Sequence, residues 1–257
     1  MKVVILCGGL GTRLREETEF RPKPMVPLGG RPILWHIMKN YAAQGHNEFI
    51  LCLGYKGEVI RDFFRNYHWN TSDVTMKLGS SPQVQYHTQH DEEDWTVTML
   101  ETGEGTMTGG RLKRALPYVG NDTFLFTYGD GVANVDVNAS LASHRDNGSL
   151  ATITAVRPAG RFGDIVIENG RVTRFHEKTS AAATPINGGF MVLEPGIGAY
   201  LSGDNCTFET DALPQLAREG KMGAHEHDGF WQCMDTFREQ MLLEDLWKSG
   251  RAPWRNW

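Results

Sequence analysis

The chain has 257 residues, of which 40% are hydrophobic and 22% charged, the composition of a folded globular protein long enough to bury a sizeable core. Its formal net charge of −5 argues against general nucleic-acid binding, which calls for a net basic face. Four cysteines (Cys7, Cys52, Cys206, Cys233) form neither a CxxC pair nor a zinc spacing, no signal peptide precedes the first apolar run, and none of the runs nears a membrane span, so the reading is a reduced, soluble, cytoplasmic protein.

KVVILCG (residues 2–8) is a continuous apolar run ending in glycine, as expected of a central strand buried on both faces. Cys7 there, and Cys52 in a later run, read as small buried thiols. Pro32 suits a first helical turn. Ile33, Leu34, Ile37, Met38 and Tyr41 then recur at helical spacing, with Gly45 as a stop. EFILCLGY (48–55) is a second buried strand and EVIRDFFRNY (58–67) a second amphipathic helix. Strand, helix, strand, helix predicts a parallel sheet wrapped by helices.

VQYHT (84–88) and WTVTMLET (95–102) read as strands, separated by a solvated charged turn, QHDEED. RLKRALPYV (111–119) is a short helix, TFLFTYGD (123–130) an apolar strand ending in an acid, and NASLASHRDNG (138–148) a helix stopped by glycine. After that, strands dominate. LATITAV (150–156) alternates, DIVIENGRVTRF (164–175) is a hairpin about Asn169-Gly170, and NGGFMVLE (187–194) is a further strand. FETDALPQLAREG (208–220) is helical only if Pro214 lies in a first turn. Strand-like residues near Phe230 lead into a last helix, REQMLLEDLWKSG (238–250). The two tryptophans of the tail RAPWRNW are expected to dock on the body. With no repeat and no Pro/Gly/Ser linker, residues 1–257 read as one domain, an αβ front half to about 135 and a strand-rich back half from about 136.

The stretch LCGGLGTRLREETEFRPKPM (6–25) carries the chemistry. It fails the dinucleotide fingerprint GxGxxG, because Leu14 stands at the third glycine, and it fails the Walker A pattern, because Arg13 stands at the second. What remains is a glycine turn between a strand and a cationic segment. Glycines let backbone N–H groups approach an anion closely, Arg13 can fork onto phosphate oxygens, and Pro22 and Pro24 stiffen the backbone that carries Lys23.

GGLGTRL followed by PKPM and GGRPIL resembles the signature of the sugar-1-phosphate nucleotidylyltransferases. Later segments, among them TGEGTMTGGRLKR (102–114), TYGDGVANVD (127–136), INGGF (186–190) and GFWQCMDT (229–236), resemble the cytidylyl branch of that family, and the similarity runs end to end. The resemblance implies an α/β, Rossmann-like nucleotidyltransferase fold with a mixed, mainly parallel central sheet. It implies an in-line, Mg²⁺-assisted reaction of CTP with α-D-glucose 1-phosphate that gives CDP-glucose and pyrophosphate. Homo-oligomeric assembly and a place in surface-polysaccharide deoxysugar synthesis go with it.

Residue by residue, the resemblance places the triphosphate on Leu6, Gly8, Gly9, Gly11, Thr12, Arg13 and Lys23, and Mg²⁺ on Asp130 and Asp235. Gly129 joins the nucleotide side, as do Met107, Thr108 and Arg111, the candidate cytosine readers. Arg111 is donor-only, so it can serve cytosine N3 or O2 but not the amino group; its other reading is a helix-surface cation. The sugar phosphate is assigned to Gly163, Glu177, Lys178, Asn187 and Gly188. Here the chain departs from its relatives, reading EKT where EKP is common. Uridylyl or thymidylyl transfer, or another sugar phosphate, stays open on the same site. A catalytically silent nucleotide-sugar sensor would have lost Lys23 or a metal carboxylate, and Arg13, Lys23, Asp130 and Asp235 are all present. His225 and His227 form HxH with no third ligand in sight.

Overall fold

Seven strands make one sheet in the computed structural model, which describes residues 1–12, 14–87, 94–158, 164–168, 171–176 and 184–257. They are β1 (Lys2–Leu6), β2 (Glu48–Leu53), β3 (Thr96–Glu101), β4 (Phe124–Tyr128), β5 (Ala151–Val156), β6 (Ile186–Leu193) and β7 (Met222–His227). Their spatial order is β7-β5-β6-β4-β1-β2-β3. Every neighbouring pair is parallel except those of β6, which runs antiparallel to β4 and β5. The sheet is therefore mixed and mainly parallel, as expected.

The continuous apolar runs behave as strands buried on both faces. Val3 and Ile5 pack into one side of the sheet and Val4 and Leu6 into the other. Helix α1 (Ile33–Ala42) covers the first side with Ile33, Leu34, Ile37, Met38 and Tyr41. Helix α2 (Gly57–Arg65) adds Ile60 to that side. Helix α3 (Thr108–Val119) covers the second with Leu112, Ala115 and Val119. Cys7 and Cys52 are fully buried, one on each side.

Several boundaries differ from the sequence reading. The first strand stops at Leu6, ahead of the glycine loop. Residues 58–67 are not one helix: α2 ends at Arg65 and a short turn, Tyr67–Thr71, follows. Strand 84–88 is the outer half of an exposed hairpin, Val74–Lys77 paired with Gln83–Tyr86. Asp164–Glu168 and Arg171–His176 pair antiparallel, as the Asn-Gly signal predicts. Helix α4 (Val137–Asn147) is capped by Asp136 and ends on Gly148 in the left-handed region. Pro214 does sit in a first helical turn, that of Leu213–Arg218, but the preceding residues Phe208–Ala212 form a π-helical turn. Proline has no N–H to donate back into that turn.

The last helix, α5 (Phe237–Lys248), leads to a tail that docks. Trp254 is completely buried, stacks on Trp247 and Phe230, and donates its indole N–H to His36 Nδ1 at 3.4 Å. Trp257 packs edge-on against Trp35 of α1. Among the described residues no helix is long and apolar enough to cross a membrane.

Candidate active site

The chain leaves β1 toward β2 on one side, whereas β4 lies on the other side of β1. Where connections diverge like this, the loops beyond the strand ends open a crevice, the usual ligand site of α/β sheets. A cleft of about 560 Å³ lies there. Its floor is the end of β1 with the glycine loop, namely Leu6, Cys7, Gly8, Gly9, Leu10, Gly11 and Thr12. Lys23 and Pro24, residues 104–108, Arg111, Tyr128, Gly129, Asp130 and Asp235 complete the walls. The predicted nucleotide and metal residues that the structure describes are thus brought to one cleft.

Lys23 opens a 3₁₀ turn, Lys23–Met25, behind an extended Pro22. Its ammonium is 2.7 Å from Asp130 Oδ2 and also donates to Asp235 Oδ1. Burial lowers the affinity of Lys23 for its proton, but the Asp130 and Asp235 carboxylates outweigh it, and the net shift is upward. Lys23 is therefore charged throughout the physiological range.

Local chemistry fixes the two acids. Gly131–Ala133, after Asp130, pairs antiparallel with Trp231–Cys233, so Gly131 faces Cys233, and Met234 N–H donates to the Asp130 carbonyl at 2.8 Å. Glu239 Oε2 then accepts the backbone N–H groups of Asp235 (2.8 Å) and Thr236 (2.9 Å), and Thr236 Oγ1 accepts from Glu239 N–H. This capping box starts α5 and holds the backbone of Asp235. Two carboxylates converging on one cation make a hard oxygen pair. That set fits Mg²⁺, which takes one or two protein carboxylates and fills its shell with phosphate and water oxygens. Among the described residues no three or more His, Cys, Asp and Glu side chains gather in a metal-holding group.

For Arg111 the structure excludes one of the two readings left open by the sequence. The residue is no surface cation, being only 4% exposed. Nη1 donates to the Leu53 carbonyl (2.9 Å) and Thr102 Oγ1 (2.7 Å), and Nη2 to the carbonyls of Gly8 (3.0 Å) and Glu104 (3.1 Å). Four of its five N–H donors thereby tie together the glycine loop, the end of β2 and the 104–108 wall. Gly8 has to be glycine for this reason: a Cβ there would lie 2.1 Å from Arg111 Nη1. Helix α3 also starts earlier than expected. Met107 precedes its first turn, and its carbonyl accepts the Arg111 N–H at 3.0 Å. Its side chain is exposed at the cleft rim.

On the sugar side, Asn187 and Gly188 lie at the start of β6. Asn187 Oδ1 accepts from Gly189 N–H at 2.9 Å, and the Gly188 carbonyl accepts from Trp231 Nε1 at 2.7 Å. Arg13, Gly163, Glu177 and Lys178 lie outside the described residues. Burial pushes the Cys7 thiol well above its ordinary value, so beneath the loop it is a neutral packing group.

The nucleotidyl transferase family model matches residues 2–240. The chain belongs to this family. It is 50% identical, over 258 residues and the full length of both chains, to the glucose-1-phosphate cytidylyltransferase of Salmonella typhi. The relative of that name from Salmonella typhimurium matches to the same extent. Among solved structures, HddC from Yersinia pseudotuberculosis aligns with a TM-score of 0.70 at 26% identity, covering 96% of this chain and 99% of that one.

Two polar residues of the transferase site escaped the sequence reading. Tyr128 lines the cleft at the end of β4, and Glu209 stands behind it in the π-helical turn. Tyr128 had a visible signal, its place before Gly129-Asp130 at a strand end. Glu209 had none, since its partners are 81 and 101 residues away.

Proposed function

We propose that the chain transfers CMP from CTP to α-D-glucose 1-phosphate, releasing pyrophosphate. The observation that carries the reading is the Asp130–Lys23–Asp235 constellation beside a glycine loop at the divergence of the sheet. Full-length identity of 50% to named cytidylyltransferases supports the choice of substrates.

A phosphate oxygen of the sugar phosphate attacks the α-phosphorus, the new P–O bond forms, and the bond to the β-phosphate oxygen breaks with its electron pair on pyrophosphate. Both reactants are anions, so positioning and charge compensation are the whole task. Backbone N–H groups of the glycine loop, with Arg13, would bind the triphosphate. Lys23 supplies a fixed positive charge. Asp130 and Asp235 would hold Mg²⁺, which supplies neutralisation of charge on the phosphates. Glu177 and Lys178 would bind the sugar phosphate together with Gly163, Asn187 and Gly188.

Cytosine offers an amino donor and an unprotonated ring nitrogen, and uracil reverses both. A wall matched to one leaves buried groups unpaired with the other, at about 1–3 kcal/mol each. Residues 104–108 and Arg111 form that wall in this reading. Carbonyls there accept from the amino group. Arg111 acts chiefly by holding the wall to the loop.

We also propose that the enzyme assembles as a homo-oligomer. Phe237, Met241 and Leu242 stay exposed on α5, apolar surface that a second copy would cover.

The test is pyrophosphate release with Mg²⁺ and glucose 1-phosphate, with CTP, UTP, dTTP, ATP and GTP offered separately. Release with CTP far above the rest is expected. A preference for UTP or dTTP would overturn the base assignment, and silence across nucleotides and sugar phosphates would overturn the reaction.

A further inference from the structure

A line of hydrogen bonds runs behind the cleft from its base side to its sugar side. Thr108 Oγ1, in the first turn of α3, donates to Glu209 Oε2 at 2.6 Å and accepts from the Phe208 backbone N–H at 2.9 Å. The Tyr128 hydroxyl donates to the other oxygen of the same carboxylate. The Asn187 side-chain amide reaches that hydroxyl in turn. Thr108 and Tyr128 both line the cleft, whereas Glu209 does not.

The direction of each bond is set by chemistry. The Tyr128 phenol has a single proton, and it goes to the Glu209 carboxylate, which can only accept. The phenol lone pairs are left to face Asn187. A carboxylate that accepts one O–H on each oxygen fixes both donors in distance and in rotation. Glu209 is held by a π-helical turn, an irregularity that recurs at functional sites because it re-aims a side chain.

We propose that Glu209 is a positioning residue for nucleotidyl transfer. It sets Thr108, the last residue of the base-reading wall, and Tyr128, on the strand end that carries Asp130 and touches Asn187, at one separation, so that nucleotide and sugar phosphate meet in line. This rests on the reaction proposed above. Glu209 touches neither substrate and acts through Tyr128 and Thr108.

The test compares Glu209→Gln and Glu209→Ala with the wild-type chain in kcat, both KM values and melting temperature. Glutamine keeps the shape but replaces one acceptor oxygen by a donor, so one of the two O–H bonds is lost. The expected result for Glu209→Gln is a near-wild-type melting temperature, KM values within about threefold, and kcat lower by roughly 10- to 100-fold, the effect of slight misalignment of reactants. Wild-type kcat in Glu209→Gln would overturn the proposal, because a carboxamide of the same shape would then suffice and the role would be packing.

Thr108→Val and Tyr128→Phe give a second measure that needs no change at Glu209. If one carboxylate links them, their kcat losses combine less than multiplicatively in the double variant. Losses that simply multiply would overturn the link. The comparison is run with the nucleotide and sugar phosphate that the wild-type chain turns over fastest in the panel above. A wrong substrate pair then shows as wild-type rate elsewhere in the panel and is distinct from a wrong role for Glu209.

Discussion

Lys23 Nζ stands 2.7 Å from Asp130 Oδ2 across 107 residues of chain, with Asp235 on its other oxygen-bearing flank. One ammonium balances two carboxylates that would otherwise repel. The arrangement holds the acids close together, as a divalent-cation site requires. Asp130→Asn should therefore abolish turnover, by at least about 10²-fold, while the fold survives because Asp235 still pairs with Lys23. Pyrophosphate release and a thermal melt on the same sample check this; full activity would remove Asp130 from the metal site.

Arg111→Lys tests whether the guanidinium reads the base or braces the wall. An ammonium has three donors and cannot serve the carbonyls of Leu53, Gly8 and Glu104 together with Thr102. At least one of these four bonds to the buried charge is lost, at about 1.5–3 kcal/mol. The expected outcome is a lower melting temperature together with a higher KM for CTP. A changed CTP-to-UTP preference at unchanged melting temperature would instead make Arg111 a direct reader.

The glycine loop supplies a paired comparison. A Cβ at Gly8 would collide with the clamped Arg111, whereas one at Gly9 meets nothing within 4 Å. Gly8→Ala should destabilise by about 1–3 kcal/mol, as overpacking does, and Gly9→Ala should leave stability within about 0.5 kcal/mol. Chemical denaturation of the two variants decides it. Equal stabilities would show that Arg111 can yield.

His36 gives a pH dependence. Burial, above all, lowers its pKa from 6.5 to about 4, and its ring is used as a neutral group: Nε2 bonds the Leu28 carbonyl at 2.7 Å and Nδ1 accepts from Trp254. The unfolded chain takes up this proton at higher pH than the folded one does. The stability contribution is therefore complete above pH 6.5 and is lost as pH falls toward 4, on the order of 3 kcal/mol in all. Melting temperature should drop across that window, and the drop should shrink in His36→Gln. An unchanged drop would assign the acid sensitivity to other groups.

The frame was legible where the signal is local. Both-face apolar runs marked β1, β2 and β4, the spacing of Ile33, Leu34, Ile37, Met38 and Tyr41 marked α1, and Asn169-Gly170 marked a hairpin. Lys23 stood out because prolines bracket it. Asp130 and Asp235 came from the family resemblance, but their pairing with Lys23 was not legible, because nothing near either acid records which lysine lies opposite. The burial of Arg111 was hidden for a related reason: Lys113 and Arg114 beside it are exposed, so the run reads as a surface face, and the acceptors that take Arg111 inside come from three other segments. Glu209 was invisible because the turn that aims it is irregular. The Thr236–Glu239 capping box, by contrast, is written in the sequence as T-x-x-E and would have anchored Asp235 sooner.

The docked tail has a consequence for how the protein is made. Helix α1, near the start of the chain, packs with Trp254, 218 residues later than the histidine it bonds, and Lys23 waits for Asp235. On the ribosome α1 can pack on the first strands, but His36 and Lys23 lack these late partners until residues 254 and 235 have emerged. A chain interrupted before residue 254 keeps an aromatic socket open around His36, Trp35 and Trp247, the kind of sticky surface that proteases and chaperones recognise. The Lys23–Asp130–Asp235 cluster therefore forms only after residue 235 has been made, and His36 gains its indole partner only after residue 254.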